Sequence, residues 1–349
     1  MSPETATQRQ PAAPRPSLAD WITKDPTVTM LFALILLTAI AFSALAPASF
    51  LSGNTLRAIA FQMPELGILA LAMMVPLMSG GLNLAIIATA NLSALVMAAI
   101  LTKLLGPESP THMVVGVIAL AFAAGLITSL IVGLITGMIV AFLGVHPILV
   151  TLGTMTAVKG IAVFATSGGV IGGFPPMILY LGNGTLLGLP VPMIIFLLCA
   201  IVVGVILNHA PFGISVRMIG SNEKATRYSG VATEWMLVGV YVMSSVLCWA
   251  AAAVMMARFN SARAGYAESY LLITILAAVL GGVDPNGGFG KVLGLVLSLV
   301  LLQLVSTGFN LLGLSPHLTQ AIWGAIMILA IAIALVRERW MARIWLKRT

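Results

Sequence analysis

HMVVGVIALAFAAGLITSLIVGLITGMIVAFL, residues 112–143, contains no Asp, Glu, Lys or Arg. A helix needs about 20 apolar residues to cross the hydrocarbon of a bilayer, so this stretch is longer than one span and has length to spare for a bend. Gly125, Ser129, Gly133 and Gly137 recur in it at four-residue intervals. On a helix that spacing makes one smooth stripe, and small residues there let a second helix approach closely. The stretch reads as one helix of a packed bundle rather than a lone anchor.

Runs of the same kind lie on both sides of it. Together they give ten candidate spans: 28–46, 57–78, 83–103, 112–143, 147–166, 190–208, 234–256, 270–283, 291–312 and 316–336. The eighth is the shortest. Composition agrees, because 60% of the 349 residues are hydrophobic and 8% are charged, against about 25% charged in a soluble domain. Lipid is then the solvent for most of the surface, which excludes a soluble, core-rich enzyme. The expected fold class is an all-α polytopic membrane protein with about ten transmembrane helices in a single bundle.

The formal charge of +7 sits beside the apolar runs, so it reads as topogenic charge, and no nucleic acid partner is expected. With ten spans and the N-terminus inside, twelve of the 17 Lys and Arg fall on the inner side. Four (Arg57, Lys103, Arg258, Arg263) fall outside and Lys159 lies within a span. That bias predicts both termini in the cytoplasm. Residues 1–26 read as a disordered cytoplasmic tail without the order of a secretory signal. Residues 27–337 form the transmembrane domain, and 338–349 a basic cytoplasmic tail. Two loops do more than connect: an outer one near 167–189 and an inner one near 209–233.

Chemistry-bearing clusters are missing from the sequence. Cys199 and Cys248 sit in apolar runs and read as packed thiols; His112, His146, His209 and His317 read as helix-end residues. No catalytic residue and no metal site is expected. Gly290-Lys291 ends a glycine-rich stretch, but a phosphate-binding P-loop needs Gly at 285 and Ser or Thr at 292, where the chain has Pro285 and Val292. No nucleotide site is expected in this chain.

The inner loop carries the most information. Ser221 or Asn222 suits a helix N-cap, Glu223 the first turn, Arg227 the last, and Gly230 a C-cap, so a short polar surface helix is expected. Its sequence, Gly220-Ser221-Asn222-Glu223-Lys224-Ala225-Thr226-Arg227-Tyr228-Ser229-Gly230-Val231, resembles the coupling loop of sugar-importing ABC permeases of the ribose, xylose, arabinose and galactose type, a family that also serves a furanosyl signalling molecule. Further motifs follow in the family's order: Gly80-Gly81-Leu82-Asn83-Leu84, Leu152-Gly153-Thr154-Met155 with Lys159-Gly160, Leu280-Gly281-Gly282-Val283 with Gly287-Gly288-Phe289-Gly290, and Phe309-Asn310-Leu311-Leu312-Gly313. The resemblance covers about residues 30–336. Departures are Asn83 for the family's acid, Ala85-Ile86-Ile87 for its Ser-Val-Gly, Ile214 for an Arg, Lys159 for an Arg and Ser221 for a Gly.

The resemblance implies a type II-importer-like permease subunit of a binding-protein-dependent ABC importer in the bacterial inner membrane. It would carry a monosaccharide or related polyol, and would itself be no enzyme. Expected partners are a cytoplasmic ABC ATPase, a second permease subunit (a copy or a paralogue), a periplasmic sugar-binding protein and membrane lipid. ATP and Mg would be bound by the partner ATPase, with no cofactor in this chain. Gly220, Ser221, Asn222, Glu223, Ala225, Thr226, Arg227 and Gly230 would couple to that ATPase, and Glu223→Pro is expected to abolish ATP-driven uptake.

Polar residues within spans suggest the pathway, since they are costly there and functional by default. Glu65 follows Pro64, so a kink beside a carboxylate is one reading and a headgroup contact another. Lys159 needs a partner, and pairing with Glu65 is one option. Asn83, Asn91, Thr151, Thr154, Thr156, Gln303 and Asn310 suit sugar hydroxyls or interhelical hydrogen bonds. Gly281 and Gly282 suit tight packing or a broken, cavity-lining helix. An ion- or proton-coupled secondary transporter is the alternative, with Glu65 its one acidic relay; a membrane-embedded enzyme would need a cluster that is not there.

Overall fold

The computed structural model describes residues 26–328 apart from 48, 107–109 and 316. The tail expected over 1–26 (all but its last residue), the tail over 338–349 and the end of the tenth candidate span lie outside the described residues. Eleven helices have defined bounds: α1 Pro26–Leu45, α2 Gly53–Met78, α3 Ile86–Leu104, α4 Thr111–Leu143, α5 Pro147–Thr166, α6 Pro176–Asn183, α7 Val191–His209, α8 Pro211–Tyr228, α9 Thr233–Phe259, α10 Tyr270–Leu280 and α11 Val292–Leu311. A further helical stretch covers 317–328. Two-residue strands pair as β1 (Ile171–Gly172) with β4 (Ser261–Ala262) and β2 (Thr185–Leu186) with β3 (Leu189–Pro190), both antiparallel.

Helix ends follow local chemistry. Ser52 caps α2 by accepting from the Thr55 amide, α5 and α8 each open on a proline where the missing N–H has no helical partner, and α4 stops at Gly144 with φ 62°. Among the described residues, eight helices are long and apolar enough to cross a membrane: α1 to α5, α7, α9 and α11. These match eight of the ten candidates, and α4 runs unbroken through all 33 of its residues. The eighth candidate is corrected: α10 has 11 residues, about 16 Å at 1.5 Å per residue, and covers only part of a membrane's depth.

The core forms around α9 and α2, whose inner faces are buried almost without interruption. The small-residue stripe of α4 meets this core as expected. A Cβ on Gly125 would lie 2.6 Å from Met97 of α3; one on Gly133, 2.6 Å from Ser245 of α9; and one on Gly137, 2.9 Å from the Val238 backbone of α9. Large apolar side chains of α1, α4, α5 and α7 point away from the core and stay exposed, the surface that lipid or another apolar chain would cover.

Two segments enter the bundle without helical structure. Residues 79–85 run between α2 and α3, and 260–269 run from α9 to α10. Helical turns alternate between two ends of the bundle. One end carries α8 and the loop 281–290; the opposite end carries α6, the β-pairs and the start of segment 260–269.

Candidate functional site

At the α8 end, three chain segments meet backbone to backbone. Gly288 donates its amide to the carbonyl of Met78, the last residue of α2, at 2.9 Å. A Cβ on Gly220 would collide with that carbonyl oxygen and the Gly288 amide, and one on Gly287 would lie 2.6 Å from the Gly80 nitrogen. Gly80 and Gly287 also hold φ of 83° and 95°, a region that glycine alone enters freely. The glycines read as motif marks are thus a seam joining α2, α8 and the loop after α10.

Directly beyond this seam α8 breaks. Asn222 is extended, with φ −163° and ψ 99°, and its Oδ1 accepts from the Ala225 amide at 3.0 Å, a side-chain N-cap. A second short helical turn then runs to Tyr228. The Ser229 amide returns to the Ala225 carbonyl at 3.1 Å, and Gly230 follows with φ 83°. Arg227 ties this turn to the start of α9 by an ion pair with Glu234 at 2.7 Å, a longer one with Glu223 at 3.6 Å and a hydrogen bond to Thr233 Oγ1 at 3.2 Å. Thr226 is buried, while Glu223, Lys224 and Tyr228 face outward. The expected caps are present, but the loop expected before them is helical from Pro211 onward.

Glu65 lies midway along α2 and is 1% exposed. Its Oε1 stands 2.8 Å from Arg258 of α9 and accepts from the Tyr270 hydroxyl at 2.8 Å. Its Oε2 is buried with no hydrogen-bond partner. Lys159 pairs instead with Glu268 at 2.7 Å, so the Glu65–Lys159 option is corrected. The two acids and two bases come from segments far apart in sequence, and nothing in the spacing of Glu65 points to Arg258.

Glu65 lines a cavity of about 140 Å3 with Gln62, Arg258, Tyr270, Gln303, Ser306 and Trp323 among its walls. An adjoining cavity of about 350 Å3 shares Ile273, Ser306 and Trp323 and adds Ser269, Asn310, His317, Thr319 and Gln320. Of the polar residues read from the sequence as suited to a solute, Glu65, Gln303 and Asn310 therefore line these cavities.

The others lie elsewhere. Asn83 donates to Ser244 Oγ at 2.9 Å and accepts from the Ala85 amide at 3.1 Å. Asn91 donates to the carbonyls of Ala264 and Tyr266, both at 2.9 Å. Each asparagine thus satisfies one of the two non-helical segments, whose backbone must find partners inside the bundle. Thr154 is 3.3 Å from the Thr136 hydroxyl. Gly281 and Gly294 bring the end of α10 against the start of α11 so closely that a Cβ on either would strike the other segment's backbone. Gly282, at φ 83°, makes the turn. Packing and a broken helix coincide there.

Residues 55–331 match the family described as "Branched-chain amino acid transport system / permease component". The chain belongs to this permease family. Similar proteins include the autoinducer 2 import system permease protein LsrD of Yersinia enterocolitica, 31% identical over 76% of this chain and 79% of the relative. The protein of the same name from Photorhabdus laumondii is 30% identical over 76% and 78%, and that of Photorhabdus temperata 29% identical over 81% and 84%. No solved structure matches. This permease is the multi-pass membrane subunit of an ABC importer, a transport subunit and not itself an enzyme. Family membership implies an ATPase and a periplasmic binding protein as the permease's partners.

Proposed function

We propose that this permease passes a monosaccharide or related polyol across the bacterial inner membrane, driven by ATP hydrolysis in a cytoplasmic subunit that docks on residues 220–230. The relatives carry a name that specifies autoinducer 2 import, and solutes of that hydroxyl-rich kind suit the neutral amides and hydroxyls along the cavities. ATP and Mg belong to the ATPase, and this chain needs no cofactor. A second permease subunit, a copy or a paralogue, completes the pore. Both termini lie in the cytoplasm, which puts α8 inside and α6 outside, facing the binding protein.

The observation that carries the coupling role is the break at Asn222. It sets a capped, exposed turn on a seam of glycines that has no slack. Displacing that turn has to move α2 and the loop 281–290 with it, because packed backbone transmits strain and does not absorb it. Glu65, the acid that a proton-coupled alternative would need, is already paired with Arg258.

The test is uptake by the importer reconstituted with its ATPase and binding protein. Glu223 follows the extended Asn222 and is the first residue of the turn, a position where proline is well tolerated. Glu223→Pro is therefore a weaker probe than the sequence suggested. Ala225→Pro removes the amide that Asn222 caps. It should abolish ATP-driven uptake while insertion into the membrane persists. Normal uptake by that variant would remove 220–230 from the coupling role. A thermal-shift screen of the cognate binding protein should return a sugar or polyol; an amino acid as its sole ligand would sink the solute assignment.

A further inference from the structure

Among the buried side-chain atoms of the described residues, Glu65 Oε2 is the one carboxylate oxygen without a hydrogen-bond partner. A buried anion is stable when its charge is matched and its oxygens accept hydrogen bonds. Arg258 matches the charge through Oε1, which leaves Oε2 as an acceptor only. Around it the cavity wall offers groups with spare capacity. Gln303 Nε2 donates to Gln62 Oε1 at 3.2 Å, which leaves the Gln303 carbonyl and the Gln62 amino group free. Trp323 is 5% exposed and lines both cavities. The larger cavity, at about 350 Å3, reaches the ~300–1,000 Å3 range of small-molecule sites.

From this geometry we propose that the two adjoining cavities form a solute station inside the permease for a neutral, polyhydroxylated molecule. Glu65 Oε2 and the Gln303 carbonyl accept hydroxyl protons, the Gln62 amino group donates, and the Trp323 ring covers the apolar C–H side of the solute. Ser306 lines both cavities, and Asn310 continues the polar wall in the larger one. The charge balance selects against an amino acid. A zwitterion would bring two further charges into a buried site whose own two, Glu65 and Arg258 at 2.8 Å, already balance, and burying charges costs more than burying hydroxyls. A hydroxyl takes the unpartnered oxygen and leaves the pair closed.

The station rests on the polyol reading above, and the experiment separates the two. The importer, assembled with its ATPase in lipid nanodiscs and without binding protein, is titrated with radiolabelled D-ribose and D-xylose, with unlabelled L-leucine as competitor. Saturable binding of at least one pentose is expected, with no competition from L-leucine. Gln303→Leu and Trp323→Ala should each weaken it about tenfold, the effect of one lost buried hydrogen bond or its equivalent in packing. Glu65→Gln alone leaves Arg258 unmatched and can fail to fold. The double variant Glu65→Gln/Arg258→Gln keeps the cavity neutral and should fold and bind more weakly. No saturable pentose binding, unchanged binding in Gln303→Leu and Trp323→Ala, or displacement by L-leucine overturns the station. Should ATP-driven sugar uptake continue in that event, the permease reading stands without it. A wild-type importer that carries L-leucine and no sugar overturns the reading itself.

Discussion

At the residue scale, three kinds of position carry distinct expectations. Gly220 has backbone where a Cβ would go, and both neighbours are fixed, so the extra methyl has to push α8 off the seam. Overpacking of this sort costs about 1–3 kcal/mol. Gly220→Ala should lower the apparent melting temperature in detergent and reduce uptake, whereas Gly160→Ala, with nothing within 4 Å of its Cβ, should leave both unchanged. Arg258 and Lys159 make a second contrast. Arg258 faces a carboxylate that is 1% exposed, and removing one partner of a buried pair costs about 3–5 kcal/mol. Lys159 and Glu268 are each about half exposed, at 46% and 52%, so their pair is far less enclosed, and where such a pair reaches water it contributes about 0–1 kcal/mol. Arg258→Ala should therefore lower the apparent melting temperature markedly and Lys159→Ala barely, both measured in the same detergent. A large loss from Lys159→Ala would mean that its pair is far better shielded than its exposure indicates.

At the element scale, the two non-helical entries determine what α3 and α10 can be. Asn91 is the side chain that satisfies the carbonyls of Ala264 and Tyr266. Asn91→Leu, of similar size, strands both acceptors in the bundle at about 1–3 kcal/mol each. It should speed proteolysis or hydrogen exchange of 260–269 more than of α4. Equal protection in both would show that the asparagine is not what holds the segment. These entries also mark where sequence reading ran short. The candidate runs 83–103 and 270–283 each include residues that are not helical, 83–85 and 281–283, so an apolar window cannot tell a helix from the non-helical chain beside it, whose polar groups a distant residue meets, as Ser244 does for Asn83. The α8 turn was legible because its caps are local: Asn222, Ala225 and Gly230 lie within nine positions of one another and act on neighbouring backbone.

At the scale of the whole molecule, the bundle was legible from the eight long apolar runs and the stripe of α4, while the cavity was not. Glu65, Arg258, Tyr270, Gln303 and Trp323 come from five elements, and only packing brings them together. Orientation remains a matter of charge, and it sets which end of the bundle meets which partner. The orientation proposed above from the charge bias would put Tyr228, 91% exposed at the end of α8, in the cytoplasm, and Leu187, 97% exposed in the turn between β2 and β3, outside. In a background with Cys199 and Cys248 replaced by Ala, Leu187→Cys should react with a membrane-impermeant maleimide in cells whose outer membrane alone is permeabilised, and Tyr228→Cys only after the inner membrane is opened. The reverse pattern would invert the molecule. The turn at 223–228 would then face the binding protein, and the glycine seam behind it would have no ATPase to answer to. Labelling of both sites in intact inner membranes would point instead to a leak through the bundle. The eight long helices argue against that, because their polar backbone is paired within each helix and the two exceptions are closed by Asn83 and Asn91.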